Sequence, residues 1–166
     1  MALADFQAER RSVMVNGKAL FNVEGLSLDT LALLVSTHMP DLEYVFGIVV
    51  HGEKAGENFQ QQIARVAMGL ASQAPGLVAN IIAICSGEMV GKENPEAEAI
   101  NAELIKTARR LPFPAQVQAL EHIGAMTFEE AGGVKKAIES LMNLLARLRT
   151  KPLKSPTDQT TQGNHS

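Results

Sequence analysis

The residues able to do chemistry are few and scattered along the chain. The nearest approach to a phosphate-binding loop is Ser86-Gly87-Glu88-Met89-Val90-Gly91-Lys92-Glu93. A Walker loop needs four residues between its glycines, so that backbone amides ring the phosphates, then a Lys and a Ser/Thr for Mg²⁺. Here three residues separate Gly87 from Gly91, Glu88 sets a negative charge in the cradle, and Glu93 stands where the hydroxyl is needed. The segment reads instead as a helix C-terminus and loop. The four histidines are His38, His51, His122 and His165, and none forms the i, i+4 pair of a metal-binding helix. His122 follows Glu121, but sequence neighbours on a helix do not face each other, so the two make no dyad. His38, just before Met39-Pro40, is placed to bond open carbonyls at a helix end. Cys85 lies in the most apolar segment, where burial raises a thiol's pKa and makes it inert. As the lone cysteine it excludes a disulfide framework and any multi-cysteine metal site. Glu53, Glu57, Glu96, Glu98 and Glu103 read as helix-surface acids without a partner constellation. No catalytic, cofactor or metal site follows, and the expectation is a protein that is not an enzyme.

Charge points to partners instead. The net charge of −3 hides an uneven distribution. Residues 27–134 hold 6 Lys/Arg against 13 Asp/Glu, whereas residues 135–154 hold 6 Lys/Arg against Glu139 alone. An acidic body with a basic last helix is a polarised molecule. On that helix Val134, Ile138, Leu141, Leu145 and Leu148 recur at alternating spacings of four and three, with Met142 and Leu144 broadening the stripe. Two readings stay open. The stripe closes the protein's own core, or, with Arg147 and Arg149 on its flank, it docks on an acidic amphipathic helix of another protein. Residues 134–154 contain no aromatic, and the acidic body repels phosphate, so no nucleic-acid partner is expected.

These residues must be positioned by a mainly helical fold. Aromatics are only 4% of the 166 residues, with no Trp, while Ala, Leu, Met, Glu and Gln abound, which favours helices packed by aliphatic side chains. A chain of this length buries roughly 68–70% of its unfolded surface and needs no staple. After an N-terminal arm, residues 1–11, Ser12–Val15 and Lys18–Glu24 read as strands joined by Asn16-Gly17, a type I′ hairpin turn. A lone hairpin is marginal in water, so it must lie on helices or pair with another chain. Ser27 is placed to cap a helix carrying Leu28, Leu31, Leu34 and Val35, which Pro40 ends. Asp41 is placed to cap a second, with Leu42, Val45, Phe46 and Val49 on one face, stopping near Gly52. A third runs from Glu57 to Gln73 and breaks at Pro75-Gly76. A fourth, Leu77 to about Glu88, is apolar nearly all round and belongs at the centre. Asn94-Pro95-Glu96 opens a fifth reaching about Arg110, and a short sixth spans Ala115 to about Ala125. Thr127 and Glu130 form a capping box for the last helix, which runs to about Arg149 despite the costly Gly132-Gly133 pair. Residues 12–150 thus make one domain, an N-terminal β-hairpin followed by a six- or seven-helix bundle. Residues 151–166 hold almost no core-former and are expected to be a disordered polar tail. No stretch is apolar enough, over about 20 residues, to span a membrane, and no secretory h-region is seen, so a cytoplasmic location is expected.

Phe21-Asn22-Val23-Glu24-Gly25-Leu26-Ser27, followed by Leu31, Leu34-Val35, His38, Pro40 and Leu42, resembles the start of the tail assembly chaperones of long-tailed phages, the pre-tape-measure group. The resemblance covers residues 12–50 best and the remainder in helical character. It implies a non-enzymatic assembly factor that binds the long helical tape-measure protein and keeps it soluble until the tail tube forms. It further implies homo-oligomerisation, a place in the host bacterial cytoplasm, and absence from the mature virion. Many members are made in two lengths by ribosomal frameshifting, and the polar tail suits the short form. The alternative reading from the residues is a small helical adaptor or regulator that binds one specific host protein.

Overall fold

The computed structural model describes residues 2–52, 54–129 and 131–150. A single 3₁₀ turn, Leu3–Asp5, precedes a hairpin of β1 (Arg10–Val15) and β2 (Lys18–Glu24). Seven helices follow among the described residues: α1 (Leu28–Thr37), α2 (Met39–His51), α3 (Phe59–Gln73), α4 (Pro75–Cys85), α5 (Ala97–Arg109), α6 (Phe113–Phe128) and α7 (Val134–Thr150). The expected mainly α architecture with an N-terminal hairpin is what the structure shows. The expected tail, residues 151–166, lies outside the described residues.

The hairpin forms where Asn16 and Gly17 take φ of 52° and 75°, the left-handed pair that a type I′ turn requires. Val13 pairs with Phe21 and Arg11 with Val23, and a bulge between Val13 and Met14 shifts the register toward the turn. β1 begins at Arg10, two residues before the expected start. The hairpin rests on helices, as a two-stranded sheet must: Val13 and Val23 are buried in the main core, and Gln118 of α6 accepts a hydrogen bond from the Met14 amide. At Gly25 the chain passes so close to α6 that a Cβ would sit 3.3 Å from the Met126 backbone. Only a glycine passes there without displacing α6.

α4 is the central helix, with Leu77, Val78, Ala79, Ile81, Ile82, Ala83 and Cys85 all buried. α3 and α4 meet at a bend of 118° at the Ala74-Pro75 junction. Ile63, Val66, Ala67 and Leu70 of α3 face inward as the periodicity requires. Across them lies α6, whose Ala115 and Ala119 are fully buried and let the two helices approach closely. Asn58 caps α3 by a reciprocal pair with Gln61, at 2.9 and 3.0 Å, one residue inside the expected start.

Several boundaries differ from the sequence expectation, each for a local reason. α2 starts at Met39, so Asp41 lies in its first turn instead of capping it, and Pro40 sits there at no cost because that turn needs no amide donor. α4 stops at Cys85 because Gly87 turns to φ 72°. Asn94 closes a turn ahead of α5, its side chain accepting from the Glu96 amide at 2.9 Å, and the helix begins at Ala97. α6 starts two residues early, with Pro114 in its first turn, and continues to Phe128. Thr127 therefore opens no helix. Its hydroxyl donates to the Ile123 carbonyl at 2.6 Å and accepts from the Leu26 amide at 2.9 Å, while Glu130 lies outside the described residues. The helix break falls at Gly132-Gly133, with φ of 81° and 106°.

Candidate binding groove

The polar residues that attracted attention in the sequence are occupied by structure. Asn101 grips both backbone groups of Val90, accepting from its amide and donating to its carbonyl at 2.9 Å each, so the Ser86–Glu93 loop is pinned to α5. Cys85 is buried, and desolvation pushes its thiol up to about 12, with the nearby Glu24 charge adding to the rise. His38 bonds no open carbonyl. The Asn80 side-chain amide lies 3.1 Å from its Nε2, and the Asp41 Oδ2 lies 3.4 Å from its Nδ1. The contact with Asn80 ties the α1–α2 corner to the central helix. Among the described residues no group of three His, Cys, Asp or Glu is arranged to hold a metal ion.

A polar cleft of about 740 Å³ lies between the start of α3 and the start of α7. Three glutamates (Glu57, Glu129, Glu139) and two lysines (Lys135, Lys136) line it, with no hydroxyl, thiol or imidazole among its described lining residues. Glu57 is engaged by Arg65 at 2.8 and 3.0 Å, and this hydrogen-bonded guanidinium holds the Glu57 carboxyl below the usual carboxylate range.

The feature with binding character is apolar. A groove of about 480 Å³ opens between α1 and α2 on one side and the α6–α7 segment on the other. Its floor comes from Val66, Leu70, Leu77 and Ile81 of α3 and α4, its first wall from Leu26, Leu28, Leu31 and Val35, and its second from Phe128, Val134, Leu141 and Leu144. Among the described residues, Thr127 and Ser140 are the only polar ones that line it. The Thr127 hydroxyl is already satisfied from both sides, and Ser140 bonds the Lys136 carbonyl at 2.8 Å. The local sequence explains the first wall. Ser27 caps α1 by accepting from the Thr30 amide at 3.2 Å, and Leu34 and Val35 then seal against the core. Leu28 and Leu31 are left over to line the groove, with Leu28 71% exposed. The groove volume falls within the roughly 300–1,000 Å³ typical of binding pockets, and its lining suits apolar side chains and little else.

The residues singled out on the last helix are divided by the structure. Val134 is buried in the core and also forms groove wall, and Leu141 lines the groove half-buried. Arg147 is exposed. Ile138, Leu145, Leu148 and Arg149 fall on α7, and their side chains lie outside the described set. Sequence reasoning missed the first wall. The available signal was an α1 with more leucines than one buried face uses.

Among the described residues no single helix is long and apolar enough to cross a membrane; α3 and α4 reach that apolarity only jointly, across their bend. No curated protein and no solved structure matches the chain. At family level residues 1–162 match the pre-tape measure proteins, well beyond the 12–50 segment that carried the resemblance. The chain belongs to the pre-tape measure protein family, a phage tail-associated group.

Proposed function

We propose that this protein is a tail assembly chaperone that binds the tape-measure protein and keeps it soluble for tail-tube assembly. The observation that carries the reading is the apolar groove, whose floor and two walls are built from aliphatic residues and Phe128 and offer, among the described residues, no free polar group. A holdase for a long helical client needs such a surface. An amphipathic helix presents apolar anchors at i, i+3, i+4 and i+7, and a cleft between helices receives two or three of them. Family membership supports the choice of client. The protein acts in the host bacterial cytoplasm as an oligomer and is absent from the mature virion. Several copies spread along one client would shield its apolar stripe piecewise.

Co-expression with the tape-measure protein of the same phage tests this. We expect the client to move into the soluble fraction and to co-purify at several copies of this chain per client. No gain in client solubility together with no co-purification overturns the reading. A one-to-one complex with an unrelated host protein in place of the client favours the adaptor alternative.

A further inference from the structure

The apolar groove has an apolar counterpart on the same chain. Leu3 is 92% exposed and Phe6 68% exposed. They stand three residues apart across the 3₁₀ turn, where i and i+3 side chains eclipse, so they share one face. The arm's two carboxylates are engaged locally: Asp5 accepts from the Ala2 amide at 3.3 Å, and Glu9 from Arg11 at 2.9 Å. Among the described residues nothing covers its two large apolar side chains.

The root of the arm lies beside the groove. β1 begins at Arg10, which pairs with Glu24, and Leu26, two residues on, stands at the groove edge. With Leu3–Asp5 kept in the 3₁₀ turn, the eight residues beyond that root reach about 22 Å. Among the described residues of the single chain the arm is nevertheless exposed throughout and no segment fills the groove. In a pair of copies related by a two-fold axis, each arm would be free to cross to the other's groove. Such an exchange is isologous and closes on itself, so it forms a pair and no filament.

We propose that residues 2–9 of one copy dock in the apolar groove of a second copy, with Phe6 and Leu3 as anchors, in a reciprocal pair. A phenylalanine brings roughly 150–250 Å² to such a contact. With Leu3 and the matching groove walls counted on both copies, the exchange buries on the order of 1,200 Å², at the lower edge of specific interfaces. A weak, reversible pair follows. It covers the groove in the absence of client and yields when an apolar helix competes for the same lining.

The chain contains no tryptophan, so full-length Phe6→Trp carries a single reporter at the anchor. Its emission should shift to the blue as protein concentration rises, in step with the dimer fraction from sedimentation equilibrium. A tryptophan that stays wet at every concentration overturns the proposal. So does one that is buried at every concentration in a monomer, since the arm then occupies its own groove. Phe6→Glu, at an exposed site, should leave the unfolding midpoint unchanged and weaken pairing at least tenfold; unaltered pairing also overturns it. The groove is shared with the proposed function, but the two fail separately. A wet arm with a co-purifying client removes only the arm exchange, and a docked arm with no client complex removes only the chaperone reading.

Discussion

Replacing Leu28 by glutamate separates the groove as a binding surface from the groove as part of the core. Leu28 is 71% exposed, so less than a third of the ~1.5–3 kcal/mol gained by burying a leucine is at stake in folding, about 0.4–0.9 kcal/mol. It is the first residue of α1, directly after the Ser27 cap, where a carboxylate gains about 0.3–1 kcal/mol from the helix macrodipole. The two effects nearly cancel, and the urea midpoint should move by no more than the equivalent of ~0.5 kcal/mol. Binding responds differently. A client helix seated in the groove would cover the rest of Leu28, a gain of about 1–2 kcal/mol. Losing it weakens the complex roughly 5- to 30-fold, before any desolvation cost of the new carboxylate. Urea unfolding followed by circular dichroism gives the first quantity, and titration of a soluble tape-measure fragment gives the second. Destabilisation above ~2 kcal/mol would show that Leu28 is core. Unchanged client affinity in a folded variant would show that the client binds elsewhere, and the groove argument would fall.

Other perturbations probe the parts that shape the groove. Changing both Gly132 and Gly133 to alanine places side chains at φ of 81° and 106° and should cost roughly 1–2 kcal/mol per position, read as a lowered melting temperature; a stability equal to the parent would mean that α6 and α7 tolerate fusion. Thr127→Val leaves the Leu26 amide without its acceptor and should cost about 1–3 kcal/mol, with faster hydrogen exchange at Leu26; protection equal to the parent would refute the link. Glu57 has its pKa lowered from 4.5 by Arg65, so its contribution to stability is present above pH 4.5 and disappears as the pH falls through the folded value. Glu57→Gln should therefore unfold at lower urea than the parent at pH 7, with the gap closing in acid; a gap independent of pH would contradict the ion-pair account.

Short-range chemistry was readable from the residues, and long-range chemistry was not. Asn16-Gly17 and Ser27 act on neighbours one to three positions away, and both behave as their types require. Val78, Ile81 and Ile82 follow from an apolar segment too uniform to lie anywhere but the centre. Thr127 was misjudged because its partner, the Leu26 amide, lies 101 residues away; a capping-box pattern contains no information about such a contact. The glycine pair was noticed as a cost within one helix, where it is the break between two. The groove has the same origin as these misses. Each wall is an ordinary amphipathic helix by itself, and only their separation across α3 and α4 leaves apolar surface without a neighbour.

That separation also sets when the binding surface comes into being. Leu26 begins one wall and Thr127 the other, 101 residues later. At ~5–20 residues per second, a ribosome takes roughly 5–20 s to travel from the first to the second. During that interval the leucines of α1 have been made and the second wall against which they form a groove has not. A nascent chain is thus an exposed apolar helix before it can be a receptor for one, and under the proposed function client capture would begin only after α7 has been synthesised.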